Sequence, residues 1–156
     1  MAKKTFNEKL HNAGNLPEIE EVTDPRAIKM FGGTKMLMAP PIDYDEIMRK
    51  IPEGKVTTSM EIRQALAKKY KADYTCQMTA GIFINIVANA SRERELEGSK
   101  DLVPYWRTLK KDGELNEKYP DGIDGQKLLL EIENHKIIKK GKRYFVENYQ
   151  DRLYKL

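Results

Sequence analysis

The chain has 156 residues, 40% hydrophobic and 33% charged, with a formal net charge of +4 and a pI near 9.0. That length suits one domain with a real core, and the composition excludes a chain that is disordered throughout. No run approaches the roughly 18 apolar residues of a membrane span, no apolar signal core follows Met1, Cys76 has no partner for a disulfide, and His11 and His135 are too far apart for a zinc-site spacing.

A monomeric cytoplasmic protein that uses no metal, cofactor or membrane is therefore expected. The mild basic excess suits nucleic acid or simple solubility. From Lys136 onward, Lys139, Lys140, Lys142, Arg143, Arg152 and Lys155 outnumber Glu147 and Asp151, which fits either a phosphate-facing edge or a solvated hairpin.

Residues 1 to 40 mix acidic clusters (Glu18, Glu20, Glu21, Asp24) with Pro17, Pro25, Gly32, Gly33 and Pro40. Without sustained periodicity they read as an extension packed on the domain, with at most a short helix. Ile42, Ile47 and Ile51 stand near helical spacing, with Asp43 as N-cap and Pro52 as terminator, so a short helix is expected over 42–50. A turn through Gly54 and a short extended piece lead into a second helix from Ser59, its expected N-cap, to Tyr70, with Ile62, Ala65 and Leu66 facing inward.

Thr75 to Glu97 repeats Met78, Ile82, Ile86 and Ala90 every four residues, widened by Phe83 and Val87, and predicts a third, mostly buried helix. Its first turn offers Thr75, Gln77 and Thr79, and no Lys or Arg lies between Lys71 and Arg92. Leu102 to Leu109 reads as extended and holds the only Trp, in Pro104-Tyr105-Trp106-Arg107. As residues alone, these aromatics suit a strand that fills a core, where most Tyr-Trp pairs belong, more than an exposed site.

Asp112-Gly113 marks a turn, Asn116 to Asp124 a loop, and Gly125 to Glu133 a helix with Leu128, Leu129, Leu130 and Ile132 in the core. His135–Ile138 and Arg143–Val146 are expected to pair across Lys139–Lys142, followed by a polar tail over 151–156. The fold class is thus α+β, mainly helical: a winged helix-turn-helix domain over 41–150 with a short C-terminal β-hairpin, preceded by the 1–40 extension.

Several motifs now fall in one order and spacing: Ile51-Pro52-Glu53-Gly54-Lys55-Val56-Thr57-Thr58, Glu61-Ile62, Asn89, Pro104-x-x-Arg107, Asp112-Gly113, and Lys127 to Glu133. From about Ile42 to Tyr149 this pattern resembles the DNA-binding domain of methylated-DNA-protein-cysteine methyltransferases. The resemblance implies double-stranded DNA as partner. In that family a Pro-Cys-His-Arg segment carries the chemistry: the thiolate, deprotonated by the His, accepts an alkyl group from a flipped guanine. Here Tyr105 stands at the Cys position and Trp106 at the His position. A phenol with an ordinary pKa near 10 is protonated at neutral pH, and an indole N–H donates but takes no proton.

The resemblance therefore points to the alkyltransferase-like type, which binds alkylated guanine without repairing it and connects to repair proteins. Glu133 matches the carboxylate that orients the family's His, and Asn89 its active-site Asn. The expected lesion pocket comprises Tyr105, Trp106, Asn89, Glu133 and Ser59; the expected DNA contacts are Thr58, Thr75, Gln77, Met78, Thr79 and Arg107, the last better suited to holding its turn through hydrogen bonds than to a phosphate. Three positions depart from the pattern. Ser59 replaces a Tyr that rotates the nucleotide, Met78 or Ala80 replaces an Arg finger, and Trp106 replaces a His that alkyltransferase-like proteins keep. Two alternatives stand beside this expectation: a winged-helix regulatory or protein-interaction module without lesion recognition, and an active methyltransferase using Cys76 at the start of the third helix.

Overall fold

The computed structural model describes residues 3–156; Met1 and Ala2 of the N-terminal stretch lie outside the described residues. The extension holds more than one short helix. It contains α1 (Phe6–Leu10), β1 (Glu18–Glu21), α2 (Pro25–Phe31) and β2 (Lys35–Met38). Elements of four to seven residues are too short for a periodic pattern to accumulate, yet their caps are local: the Thr5 side chain accepts from Glu8 N–H, and the Asp24 carboxylate accepts from Arg26 N–H.

α3 (Pro41–Met48) starts on a proline at its first turn, preceded by Pro40. Asp43 is not its cap: it sits buried inside the helix and accepts a hydrogen bond from the Tyr70 hydroxyl. After β3 (Thr57–Thr58) comes α4 (Ser59–Lys69), whose N-cap is Thr58 rather than Ser59. The Thr58 hydroxyl accepts from Glu61 N–H in a Thr-x-x-Glu spacing typical of capping boxes.

β4 (Tyr74–Thr75) takes Thr75 out of the next helix, and α5 (Gln77–Leu96) follows with Cys76 at the N-cap position. α4, β4 and α5 form the helix-turn-helix. The inward face of α5 differs from the four-residue stripe in its first turns: Met78 is 75% and Ile82 50% exposed, while Ala80, Ile84, Val87, Ala88, Ala90 and Ser91 are buried. The helix packs on α1 and α3, and small residues let it approach them closely, which an i+4 count of large side chains does not capture.

The 102–109 run is mostly irregular, with a 3₁₀ turn at Tyr105–Arg107 and then β5 (Thr108–Leu109), which pairs in parallel with β3. α6 (Gly122–Ile132) starts earlier than expected, and of its apolar residues Leu130 is buried whereas Leu128 and Ile132 are exposed. β6 (Ile137–Lys140) and β7 (Arg143–Val146) form the wing hairpin, turning at Gly141-Lys142. Residues 151–156 return to the domain: Val56 N–H donates to the Arg152 carbonyl at 3.0 Å and Tyr154 N–H to the Val56 carbonyl at 2.8 Å.

The architecture is a mixed α+β winged helix-turn-helix with two core clusters. The larger gathers Leu10, Leu37, Tyr44, Ile62, Ile84 and Val87; the smaller gathers Val56, Leu109, Leu115, Leu130 and Val146, and Trp106 packs against both. β2 lies between β1 and β4, antiparallel to one and parallel to the other, so residues 18–38 complete the sheet behind the helix-turn-helix. Among the described residues no helix is long and apolar enough to cross a membrane, and no group of three His, Cys, Asp or Glu residues could hold a metal ion.

Because Leu10 is only 2% exposed in the larger core, Leu10→Ala is expected to cost about 2–5 kcal/mol. Urea denaturation checks this: the midpoint falls with an unchanged slope, whereas an unchanged midpoint would show α1 to be outside the cooperative unit.

Candidate nucleic-acid interface

Glu133 closes α6 and is buried between three segments that are distant in sequence. Its carboxylate accepts from Trp106 Nε1–H at 3.0 Å and from Arg107 Nε–H at 3.0 Å and Nη2–H at 2.7 Å, with Gly54 N–H at 3.4 Å. Arg107 also donates through Nη1 to the Ile51 carbonyl at 2.7 Å. Burial acts to raise the carboxyl pKa, but the Arg107 and Trp106 hydrogen bonds outweigh it and hold the group below its usual range. Beside it, burial and the Arg152 charge lower the pKa of His135.

At positions 105 and 106 the side chains present neither a base nor an ionised nucleophile at neutral pH. The indole N–H occupies the carboxylate as a donor and has no lone pair for a proton. The Tyr105 ring is turned into the core, edge-on to Trp106 at 5.4 Å and to Tyr119 at 5.2 Å between centroids. Burial raises its phenol pKa against a smaller opposing effect of Arg92, so the hydroxyl stays protonated at neutral pH.

The five expected pocket residues do not line one cavity. Tyr105 and Trp106 line a cleft of about 520 Å³ with Leu102 and Leu128, on the α6 side. Ser59 lines a different cleft of about 690 Å³, between the first turns of α5 and the segment after β5. Asn89 and Glu133 line neither. Tyr105 points into the core, and Tyr119, edge-on to it, lines the larger cleft instead.

Gln77, Met78, Gly81 and Ile82 form the α5 side of the larger cleft; Asn116, Glu117, Lys118 and Tyr119 form the other, with Arg63 of α4 between. Amides hold the walls together. Asn116 Nδ2–H donates to Asn85 Oδ1 at 2.9 Å and its backbone N–H to Gln126 Oε1 at 2.7 Å; Gln126 Nε2–H donates to the Trp106 carbonyl at 3.1 Å. Asn89 Nδ2–H donates to the Asn85 carbonyl at 2.8 Å and reaches the Lys118 carbonyl at 3.5 Å. Sequence reasoning misses Arg63, Asn85, Asn116 and Gln126; only Gln126, an amide beside a leucine run, signals a buried group that needs partners.

The expected DNA contacts divide. Gln77 and Met78 are exposed on the first turn of α5. Thr79 is partly exposed and donates to the Cys76 carbonyl at 3.4 Å. Thr58 and Thr75 are buried, one capping α4 and the other donating to the Arg63 carbonyl at 2.7 Å, so neither hydroxyl faces solvent. Arg107 is held by Glu133 and Ile51 and has no free fork for a phosphate. Cys76 is a partly buried free thiol.

No family model matches the chain, and no curated protein matches it. Among solved structures it is similar to S. pombe Atl1 in complex with damaged DNA containing O6-carboxymethylguanine, at 20% identity over 74% of this chain and 94% of that chain, with a TM-score of 0.51. It is also similar to S. pombe ATL in complex with DNA, at 20% identity over the same shares, with a TM-score of 0.53. The likeness establishes a shared fold, which spans nearly all of those chains.

Removing the Glu133 charge strands the Arg107 guanidinium, so Glu133→Gln is expected to destabilise the protein by about 3–5 kcal/mol at pH 7. The folded carboxyl pKa lies below the ordinary 4.5, so the contribution is complete above that value and is lost as pH falls through the folded pKa. Urea denaturation followed by Trp106 fluorescence should show the gap between wild type and variant shrinking below about pH 4.5; a pH-independent gap contradicts this account.

Proposed function

We propose that the chain is a non-catalytic DNA-binding protein that grips duplex DNA through α4 and α5, takes an alkylated guanine into the larger cleft, and marks it for repair proteins. The observation that carries this is the 690 Å³ cleft at the N-terminal end of the recognition helix, which falls within the range of small-molecule sites. The shared fold supports it, since S. pombe Atl1 adopts it on DNA containing O6-carboxymethylguanine. Met78, at the mouth of the cleft, suits an apolar wedge filling the stack that a rotated base leaves. Backbone N–H groups of the first turn of α5 and the exposed Lys111 and Lys118 supply phosphate contacts. A buried protonated phenol and an indole without a lone pair support binding without transfer.

A second reading, a protein-interaction module, draws on the separation of Tyr105 and Trp106 from Ser59 and on exposed Ile82 and Met78. One experiment decides between the two. Fluorescence anisotropy at low salt is expected to show tighter binding to an O6-methylguanine duplex than to the unmodified duplex. Met78→Glu is expected to weaken both roughly tenfold by setting a carboxylate against the phosphates. Equal affinities end lesion recognition, and no binding to either duplex ends the DNA role in favour of the second reading. Mass spectrometry after incubation should show no added methyl; a methyl on Cys76 would make the protein an enzyme.

A further inference from the structure

Arg63 stands on the second turn of α4 and forms part of the wall of the larger cleft. Arg49, Arg92, Arg94, Arg107 and Arg143 each hold a carboxylate. Arg63 holds none among the described residues, and its buried Nε has no hydrogen-bond partner. Its surroundings are desolvating: burial lowers the guanidinium pKa, with smaller opposing effects from Tyr44, Cys76 and the Glu61 carboxylate, which comes near without forming an ion pair. A guanidinium stays charged in proteins, so the site stands with a half-buried, unpaired cation, an arrangement that is costly until an anion arrives.

The charge around the cleft agrees with this. Arg63, Lys110, Lys111 and Lys118 line it against one carboxylate, Glu117, and Glu117 is already paired with Lys110 at 3.4 Å. The backbone phosphates of a bound duplex run over the outer surface, where the lysines are. Arg63 also lines the neighbouring cleft beside Met60 and Tyr74, and its Nε is enclosed, so an anion in the larger cleft meets the Nη groups of the fork; there, that anion is one carried in on the base. With the cleft taken as base-binding, as proposed above, we infer that Arg63 makes the site selective for guanine adducts bearing a carboxylate over adducts with neutral alkyl groups. The planar fork suits bidentate pairing with a carboxylate.

The test compares three duplexes of one sequence, carrying guanine, O6-methylguanine or O6-carboxymethylguanine, bound by wild type, Arg63→Gln and Arg63→Lys, with circular dichroism confirming each fold. Wild type is expected to bind the carboxymethyl duplex about tenfold tighter than the methyl one, since a charged hydrogen bond contributes on that scale. R63Q is expected to bring the affinities for the two adducts together, with a larger loss on the carboxymethyl duplex than on the methyl one. R63K, which keeps the charge without the fork, retains part of the preference. Equal binding of the two adducts by wild type overturns the inference while leaving base binding intact. R63Q weakening all three duplexes alike makes Arg63 a phosphate contact and also overturns it. Failure of wild type to bind any duplex rejects the base-binding cleft itself, and a tenfold preference that survives R63Q assigns selectivity to other residues.

Discussion

The structure depends on one buried carboxylate. Glu133 at the end of α6 joins Gly54 in the turn before β3, Trp106 and Arg107 in the 3₁₀ turn, and, through Arg107, the Ile51 carbonyl. A buried charge is tolerable only when paired and hydrogen-bonded, and these donors come from segments that the β3–β5 pairing and the smaller core also bring together. They fix the 104–107 turn, and the turn in turn sets Tyr105 facing inward. In the Pro-Cys-His-Arg pattern that this segment resembles, the same carboxylate orients a histidine. Here the Trp106 indole N–H donates to Glu133 and has no lone pair to take a proton.

From Trp106 the constraint passes to the cleft. Its carbonyl accepts from Gln126, whose other amide atom holds the Asn116 backbone N–H, and Asn116 reaches Asn85 on α5. The amide groups leave little freedom to the wall opposite the recognition helix, because breaking one link strands a buried donor or acceptor. Tyr119 is locked in the same wall: its hydroxyl donates to the Thr108 carbonyl at 2.8 Å and its ring meets Tyr105 edge-on. The cleft is thus preformed, and binding in it avoids the cost of ordering a loop.

Much of this was legible in the sequence where the signal was local. The Asp112-Gly113 turn, the Gly141 hairpin and the helix-turn-helix spacing all carry their own chemistry; Gly113, with φ of 82°, packs so close to the Tyr149 ring that a Cβ would collide with it. The carboxylate role of Glu133 came through resemblance, and the structure gives it Trp106 as a partner. The rest depended on context. Elements of four to seven residues in the first 40 leave no periodic trace, so Leu10, Leu37 and Ala39 looked peripheral although they are core. On α5 two stripes competed, and packing against α1 and α3 selected the one with alanines. Thr58 and Thr75 looked like base readers because polar side chains near a helix start serve caps and ligands alike. Nor does a charge on α4 reveal whether it has a partner: Arg63 and Lys69 look equivalent in sequence, yet Lys69 lies 4.0 Å from Asp43 and Arg63 is unpaired.

The absence of Lys and Arg between Lys71 and Arg92 has a further consequence for how such a protein would discriminate. Each phosphate neutralised adds sequence-independent affinity and steepens the salt dependence by about one unit of slope. A recognition helix that neutralises none leaves that work to flanking lysines, one of which, Lys110, is already engaged by Glu114 and Glu117. On the DNA-binding reading proposed above, affinity for undamaged duplex is then low. A protein that must find rare adducts among a vast excess of ordinary base pairs is governed by the ratio of its two affinities rather than by either alone. On the reading proposed above, weak phosphate binding lowers the denominator and a preformed cleft with an unpaired guanidinium raises the numerator, so the lack of basic residues in the first turns of α5 and the unmatched charge on α4 act in the same direction.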